Sequence, residues 1–167
     1  MRFAYADPPY LGQGSRYGYL EWNDPERHRA LIRQLVAEFP DGWAVSLSTP
    51  SLLTYGRFPE TPSDVRWGAW VKPFASWKPN VNPAYAWEVV MWRGGRKRTR
   101  YEATVRDYHS ENITLRRGLP GAKPPGFGGW VRGLLGAGSD DELVDLFAGT
   151  GAVAASWREA AKEADRG

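Results

Sequence analysis

Apolar residues along the chain fall into runs of two kinds, and prolines and glycines mark where one kind gives way to the other. Leu31, Ile32, Leu35, Val36 and Phe39 recur at the three- and four-residue spacing that lines one side of a helix. Asp24 and Pro25 stand just ahead, an N-cap acid and a first-turn proline, and Pro40-Asp41-Gly42 closes the helix. A second strong helix is predicted over 152–164, A-V-A-A-S-W-R-E-A-A-K-E-A, with shorter ones in S-L-L-T-Y-G-R-F and around Trp130, Leu134 and Leu135. The other runs are short and strand-like: R-F-A-Y-A (2–6), W-A-V-S-L-S (43–48), V-R-W-G-A-W-V (65–71), A-W-E-V-V-M-W-R (86–93) and D-E-L-V-D-L-F (141–147). Residues 11–24 have no period and read as an ordered loop, and 72–83 carry too many prolines for regular structure. Strands alternating with helices predict an α/β layer fold with a mostly parallel sheet.

Two junctions in this pattern carry chemistry. The first strand runs into D-P-P-Y (7–10). Proline lacks an N–H and fixes φ, so the pair ends the ladder and stiffens a corner that holds a carboxylate, two carbonyls and an aromatic ring. Taken alone, a Pro-Pro is more simply an edge-strand terminator. The second junction, Asp145-Leu-Phe-Ala-Gly-Thr-Gly151, joins a strand to a helix, where α/β sheets bind nucleotides. Gly149, Gly151 and Ala154 also fit the G-x-G-x-x-A dinucleotide fingerprint, but too few residues follow Ala154 for the second strand and acid that such a unit needs.

Composition narrows the choice. The chain has 167 residues, 42% of them hydrophobic and 25% charged, which fits one globular domain with a substantial core. There is no cysteine, hence no disulfide framework and no thiolate metal site, which suits a reducing, cytoplasmic setting. The two histidines are too few for a zinc cluster, and no metal is expected. His28, in E-R-H-R at the polar start of a helix, is expected to be solvated. No run is long and apolar enough for a signal peptide or a membrane span. The net charge is only +3, but Arg93, Arg96, Lys97, Arg98 and Arg100 crowd into W-R-G-G-R-K-R-T-R-Y, with Arg106, Arg116 and Arg117 behind. That run is either a solvated loop or a phosphate-binding surface. Nine tryptophans are many for this length, which leaves some for stacking surfaces rather than core.

Together, A-D-P-P-Y and D-L-F-A-G-T-G resemble the amino-methyltransferases, which methylate N6 of adenine or N4 of cytosine using S-adenosylmethionine (SAM). The order, catalytic motif first and glycine motif last, is similar to a permuted class of that family. A-K-P-P-G-F-G-G-W-V-R-G-L-L-G resembles the Lys-Pro and helix that this class carries before the glycine motif, and W-V-K-P with A-W-E-V-V-M-W-R-G resembles the middle strands of its small phage-type members.

The resemblance implies a Rossmann-like methyltransferase fold over 1–167, helices on both sheet faces, with a basic loop at about 93–117 in place of a target-recognition region. It implies catalytic roles for Asp7, Pro8, Pro9 and Tyr10. The Asp7 side chain and Pro8 carbonyl would accept hydrogen bonds from the target amino group, and Tyr10 would stack on the flipped base. Ala6, Asp145, Phe147, Ala148, Gly149 and Gly151 would line the SAM pocket, with Lys123 flanking its methionine end. Arg93, Arg96, Lys97, Arg98 and Arg100 would meet nucleic acid, in the first instance double-stranded DNA. D-P-P-Y is commoner in adenine enzymes, which favours N6 of adenine over N4 of cytosine; RNA as substrate stays open. One departure stands out: the family's ribose-binding strand after the glycine-motif helix is missing, so the fold is expected to be truncated. SAM would then be held by fewer contacts, or by a site that a second subunit completes, or the chain would be an inactive nucleic-acid-binding descendant.

Overall fold

The computed structural model describes residues 1–74, 85–113 and 122–164. Most of the proline-rich 72–83 segment, together with Arg116 and Arg117, lies outside them. The elements are β1 (Arg2–Ala6), α1 (Pro25–Glu38), β2 (Gly42–Leu47), α2 (Leu52–Arg57), β3 (Arg66–Val71), β4 (Trp87–Gly94), β5 (Tyr108–Ser110), α3 (Phe127–Leu134), β6 (Glu142–Asp145) and α4 (Ala152–Ala164). The loop at 11–24 is ordered by two short 3-10 turns, Gly14–Tyr17 and Leu20–Asn23. β5 is the one described strand that periodicity did not predict. Y-H-S is too short to show a period, and it joins through parallel pairing of Ala69 with Tyr108 and Val71 with Ser110.

The sheet order is β5-β3-β4-β2-β1-β6. β1 pairs in parallel with β2 and β6, β3 pairs in parallel with β5, and β4 is antiparallel to both β2 and β3. Five strands therefore finish at one end of the sheet, and β4 alone begins there. The outer side of β6 carries no strand among the described residues.

Helices cover both faces. The α1 stripe behaves as its spacing predicts: the Asp24 carboxylate accepts from the Glu26 N–H, and Leu31, Ile32 and Leu35 are buried against Ala4, Trp43 and Val45. On the other face, α3 and α4 pack over Phe3, Tyr5, Trp70, Val90 and Trp92. Trp43, Trp70, Trp92, Trp130 and Trp157 are core residues, so most of the tryptophan surplus goes into packing. His28 corrects its expectation. It lies three, four and seven residues ahead of Leu31, Ile32 and Leu35, on their stripe, and is fully buried. Its Nε2 is 2.8 Å from the Trp22 carbonyl and its Nδ1 2.5 Å from the Tyr55 hydroxyl. A neutral ring satisfies both, and burial lowers its pKa.

α3 and α4 touch backbone to backbone. The Gly128 N–H donates to Ser156 Oγ at 3.0 Å, and a Cβ at Gly128 would lie 2.4 Å from the Val153 carbonyl and 2.1 Å from Ser156 Oγ. Gly128→Ala is therefore expected to wedge the helices apart and cost about 1–3 kcal/mol. Urea denaturation measures this, and a variant as stable as wild type would show that the contact yields freely.

Candidate active site

Alternation along the strands builds the site. Phe3, Tyr5 and Asp7 share one face of β1 and its extension, Val90 and Trp92 share that face of β4 with Glu88, and Trp70 shares it with Lys72 just past β3. Each row is apolar until its last residue, and each ends in a charge at the end of the sheet where the parallel strands finish. Lys123, one turn ahead of α3, comes down on the same spot. Its Nζ is 3.0 Å from Asp7 Oδ2, 3.4 Å from Glu88 Oε2 and 3.5 Å from the Tyr10 hydroxyl. The Tyr10 hydroxyl donates to Glu88 Oε2, and the Lys72 ammonium bonds Glu88 Oε1. The rings of Trp70, Phe127 and Tyr10 surround Lys123, at 5.3, 5.7 and 5.9 Å from Nζ.

Two acids and two ammonium groups thus alternate in a pocket that water barely enters. The side chains of Lys123, Lys72, Glu88 and Asp7 are 5%, 14%, 15% and 26% exposed. Burial pushes the Asp7 carboxyl above its ordinary value, and the Lys123 charge only partly opposes this. At Glu88 burial acts the same way, but Lys123 and Lys72 together outweigh it and lower its pKa. Burial alone would lower the Lys123 pKa; Asp7 and Glu88 raise it instead, so the ammonium stays charged. The Tyr10 hydroxyl is pushed well up by burial and by the adjacent Asp7. Asp7 therefore offers a hydrogen-bond acceptor at the mouth of a largely dry corner, with the Lys123 ammonium beside it favouring the charged form against burial.

The glycine turn lies beside this corner, because β6 pairs with β1 through Tyr5 and Asp145, and the Leu146 N–H donates to the Tyr5 carbonyl at 2.9 Å. Gly149 and Gly151 have φ of 49° and 72°, a region that side chains disfavour. A Cβ at Gly151 would meet nothing within 4 Å, so this turn faces open space ahead of α4. Asp145 Oδ1 accepts from the Phe147 N–H at 3.2 Å, and burial raises the Asp145 carboxyl. Phe147 is braced edge-on by Trp22, 5.1 Å between centroids, and Trp22 in turn by His28. Ala6 is buried where β1 ends, and Ala148 is exposed in the turn.

Of the residues singled out in the sequence, Asp7, Pro8, Pro9, Tyr10 and Lys123 come together at the corner, with Ala6 and 145–151 next to them. The basic run does not join them. β4 carries the chain from Glu88 to Gly94 at the far end of the sheet, where Gly94 pairs with Gly42. There Arg93 pairs with Asp64 at 2.7 Å, Arg96 with Asp141 at 2.8 Å, and Arg98 donates to the Ala103 and Gly133 carbonyls. Arg100 lies over Tyr101, and Lys97 is exposed. Sequence reading missed Glu88 and Lys72. The signal for Glu88 was present, since an acid whose i+2 and i+4 neighbours are Val90 and Trp92 needs a buried partner.

No family model and no curated protein sequence matches the chain. Among solved structures, it is similar to M1.HpyAVI in its complex with SAM, at 15% identity and a TM-score of 0.60, with 95% of this chain and 78% of that one covered. A second structure of M1.HpyAVI superposes at a TM-score of 0.58, again at 15% identity and over 95% of this chain and 76% of that one. The shared feature is the fold, which is of the Rossmann-like methyltransferase type.

Lys123 is the cation that Asp7 and Glu88 share, and it opposes the effect of burial on both. Lys123→Met is expected to destabilise the protein by about 2–4 kcal/mol at neutral pH, since it leaves acids without a buried partner. With burial then opposed only by the more distant Lys72, Asp7 titrates still higher in the folded state than in the unfolded chain. The folded variant holds the proton more tightly, so its stability falls as pH rises above the ordinary carboxylate value. Urea denaturation at pH 5 and pH 7.5 should show a smaller penalty at pH 5. An equal penalty would mean that Lys123 acts there by packing alone.

Proposed function

We propose that the chain transfers a methyl group from S-adenosylmethionine to the exocyclic amino group of a nucleic-acid base, N6 of adenine in DNA. The observation that carries this reading is the pairing of β1 with β6, which brings the Asp7-Pro8-Pro9-Tyr10 corner next to the open glycine turn at 149–151. Support comes from the fold shared with M1.HpyAVI, which has been crystallised with SAM. The turn fits such a ligand: Gly149 and Gly151 leave space where a side chain would intrude, and no acid in the first turn of α4 opposes a ligand carboxylate. Asp145, Phe147, Ala148 and the two glycines would hold the molecule, with Ala6 beneath it.

Bound SAM supplies an electrophilic methyl group on a sulfonium sulfur. The rest falls to the corner. An amino group on an aromatic base is a weak nucleophile because its lone pair is delocalised into the ring. The Asp7 carboxylate and the Pro8 carbonyl would accept its two N–H bonds, which localises the lone pair and stabilises the positive charge that grows on nitrogen as the N–C bond forms and the sulfur–methyl bond breaks. The neutral thioether would leave, and the methylated nitrogen would give up one proton to Asp7 or to water. Pro8 and Pro9 keep that carbonyl aimed, since neither can rotate about φ. Tyr10, tied by its hydroxyl to Glu88, presents its ring as a surface for a flipped base. The partner is nucleic acid, with the duplex paying an unstacking cost before the base reaches Asp7.

A second reading, a binding protein that has lost catalysis, draws on the outer edge of β6 beside the glycine turn, which pairs with no further strand among the described residues. One experiment separates the two. Methyl-labelled SAM is supplied with duplex DNA, single-stranded DNA and RNA, nucleosides are analysed, and SAM binding is measured by calorimetry. The expected outcome is N6-methyladenine in DNA and a loss of about two to four orders of magnitude in Asp7→Ala, with SAM binding kept. Because burial raises Asp7, activity should fall with acid at a pH above the ordinary carboxylate value. Binding of SAM without transfer to any of the three substrates would overturn the catalytic reading in favour of the second.

A further inference from the structure

Glu88 and Lys72 belong to neither sequence motif, yet they complete the charge pattern behind Asp7. We propose that they are positioning residues: through the Lys123 ammonium, they set how strongly the Asp7 carboxylate accepts a hydrogen bond from an amino group. This rests on the corner being an amino-methylating site.

The geometry is a chain of four charges in the order Asp7, Lys123, Glu88, Lys72. Lys123 is shared, with Nζ 3.0 Å from Asp7 and 3.4 Å from Glu88. An ammonium has three N–H bonds, and here they go to Asp7, Glu88 and Tyr10, so the position of Nζ is set by all three partners and its one positive charge is shared between the two acids. Glu88 also takes the Tyr10 hydroxyl on the oxygen that faces Lys123, while Lys72 holds the other oxygen. Lys72 is itself fixed, its ammonium lying over the Trp70 ring at 4.8 Å. With Glu88 and Lys72 only 15% and 14% exposed, water is a poor substitute for either partner.

Sharing has a consequence that a purely structural role lacks. Removing the Glu88 charge frees Lys123 to turn wholly to Asp7 and takes away a negative neighbour, so Asp7 ionises more readily. Removing the Lys72 charge does the reverse: Glu88 draws Lys123 towards itself, and one of the cations that favour ionised Asp7 is gone. The two variants should move Asp7 in opposite directions. The groups that face Asp7 are Lys123 ahead of α3, Glu88 on β4, Lys72 beyond β3, Tyr10 at the same corner, Tyr5 on β1 and Asp145 on β6. The variants alter only two of them.

The test titrates Asp7 by carboxyl-carbon NMR in the full chain without ligand, its resonance identified by its loss in Asp7→Asn. Glu88→Gln should lower the Asp7 midpoint by about half a pH unit or more, and Lys72→Met should raise it by a similar amount. Lys72→Arg, which keeps the charge, should restore the wild-type midpoint. Shifts in the same direction, or none, overturn the proposal. Should Glu88→Gln fail to fold, Lys72→Met against Lys72→Arg decides alone, and equal midpoints overturn it. In turnover, Glu88→Gln should lose about tenfold or more in kcat with KM and SAM affinity nearly unchanged. Opposite shifts in a protein that methylates nothing would keep the charge relay and overturn the methylation reading. A methylating protein whose Asp7 stays put in both variants would do the reverse.

Discussion

One buried ammonium group sets the terms for the rest of the molecule. The rows that end in Asp7 and Glu88 are apolar for two or three residues below them, and burial would force either acid to take a proton if it stood alone. Lys123 opposes that at both acids: it offsets part of the burial at Asp7 and, together with Lys72, outweighs it at Glu88. It can do so only because β1, β4 and the approach to α3 converge at a single point, which the order β3-β4-β2-β1 and the position of α3 on that face guarantee. The sheet and the helices thus hold a charge where an isolated strand end would not.

The quartet has no net charge, so its attraction for a negatively charged substrate is weak at long range. Its effect is local and directional. The same can be said of the far end of the sheet, where Asp141 takes the Arg96 guanidinium and the chain's own amino terminus and is held at a pKa of about 2. At both ends of the sheet several cations are held by acids of the chain itself, Lys123 and Lys72 at one end and Arg93 and Arg96 at the other, while Lys97 stays exposed.

Much of this was legible in the sequence, and what was not had specific causes. The helical stripe from Leu31 to Phe39 and the 152–164 helix were clear because long amphipathic periods leave little ambiguity. D-P-P-Y and the glycine turn were legible because proline and glycine restrict backbone in ways that other residues do not. β5 was hidden because three residues cannot display a period. His28 was misread because its polarity was weighed without its place on the apolar stripe. The basic run was set in the place of a target-recognition region by the resemblance, which carries no information on where the run lies in space. What decided its position was the direction of β4, which periodicity cannot reveal, since antiparallel and parallel strands alternate alike. Glu88 needed partners that lie 16 and 35 residues away in the chain, Lys72 and Lys123, and only the fold brings the three together.

The backbone contact between α3 and α4 has a consequence for how such a site can be rebuilt. Lys123 sits just ahead of one of these helices and the glycine turn just ahead of the other, with β6 between them, so residues 123–151 form one uninterrupted stretch. That stretch carries the cation behind Asp7 and the glycine turn on a common frame of two packed helices. Together they form a cassette, and recombination or design could exchange it whole without disturbing the spacing between its two functional ends.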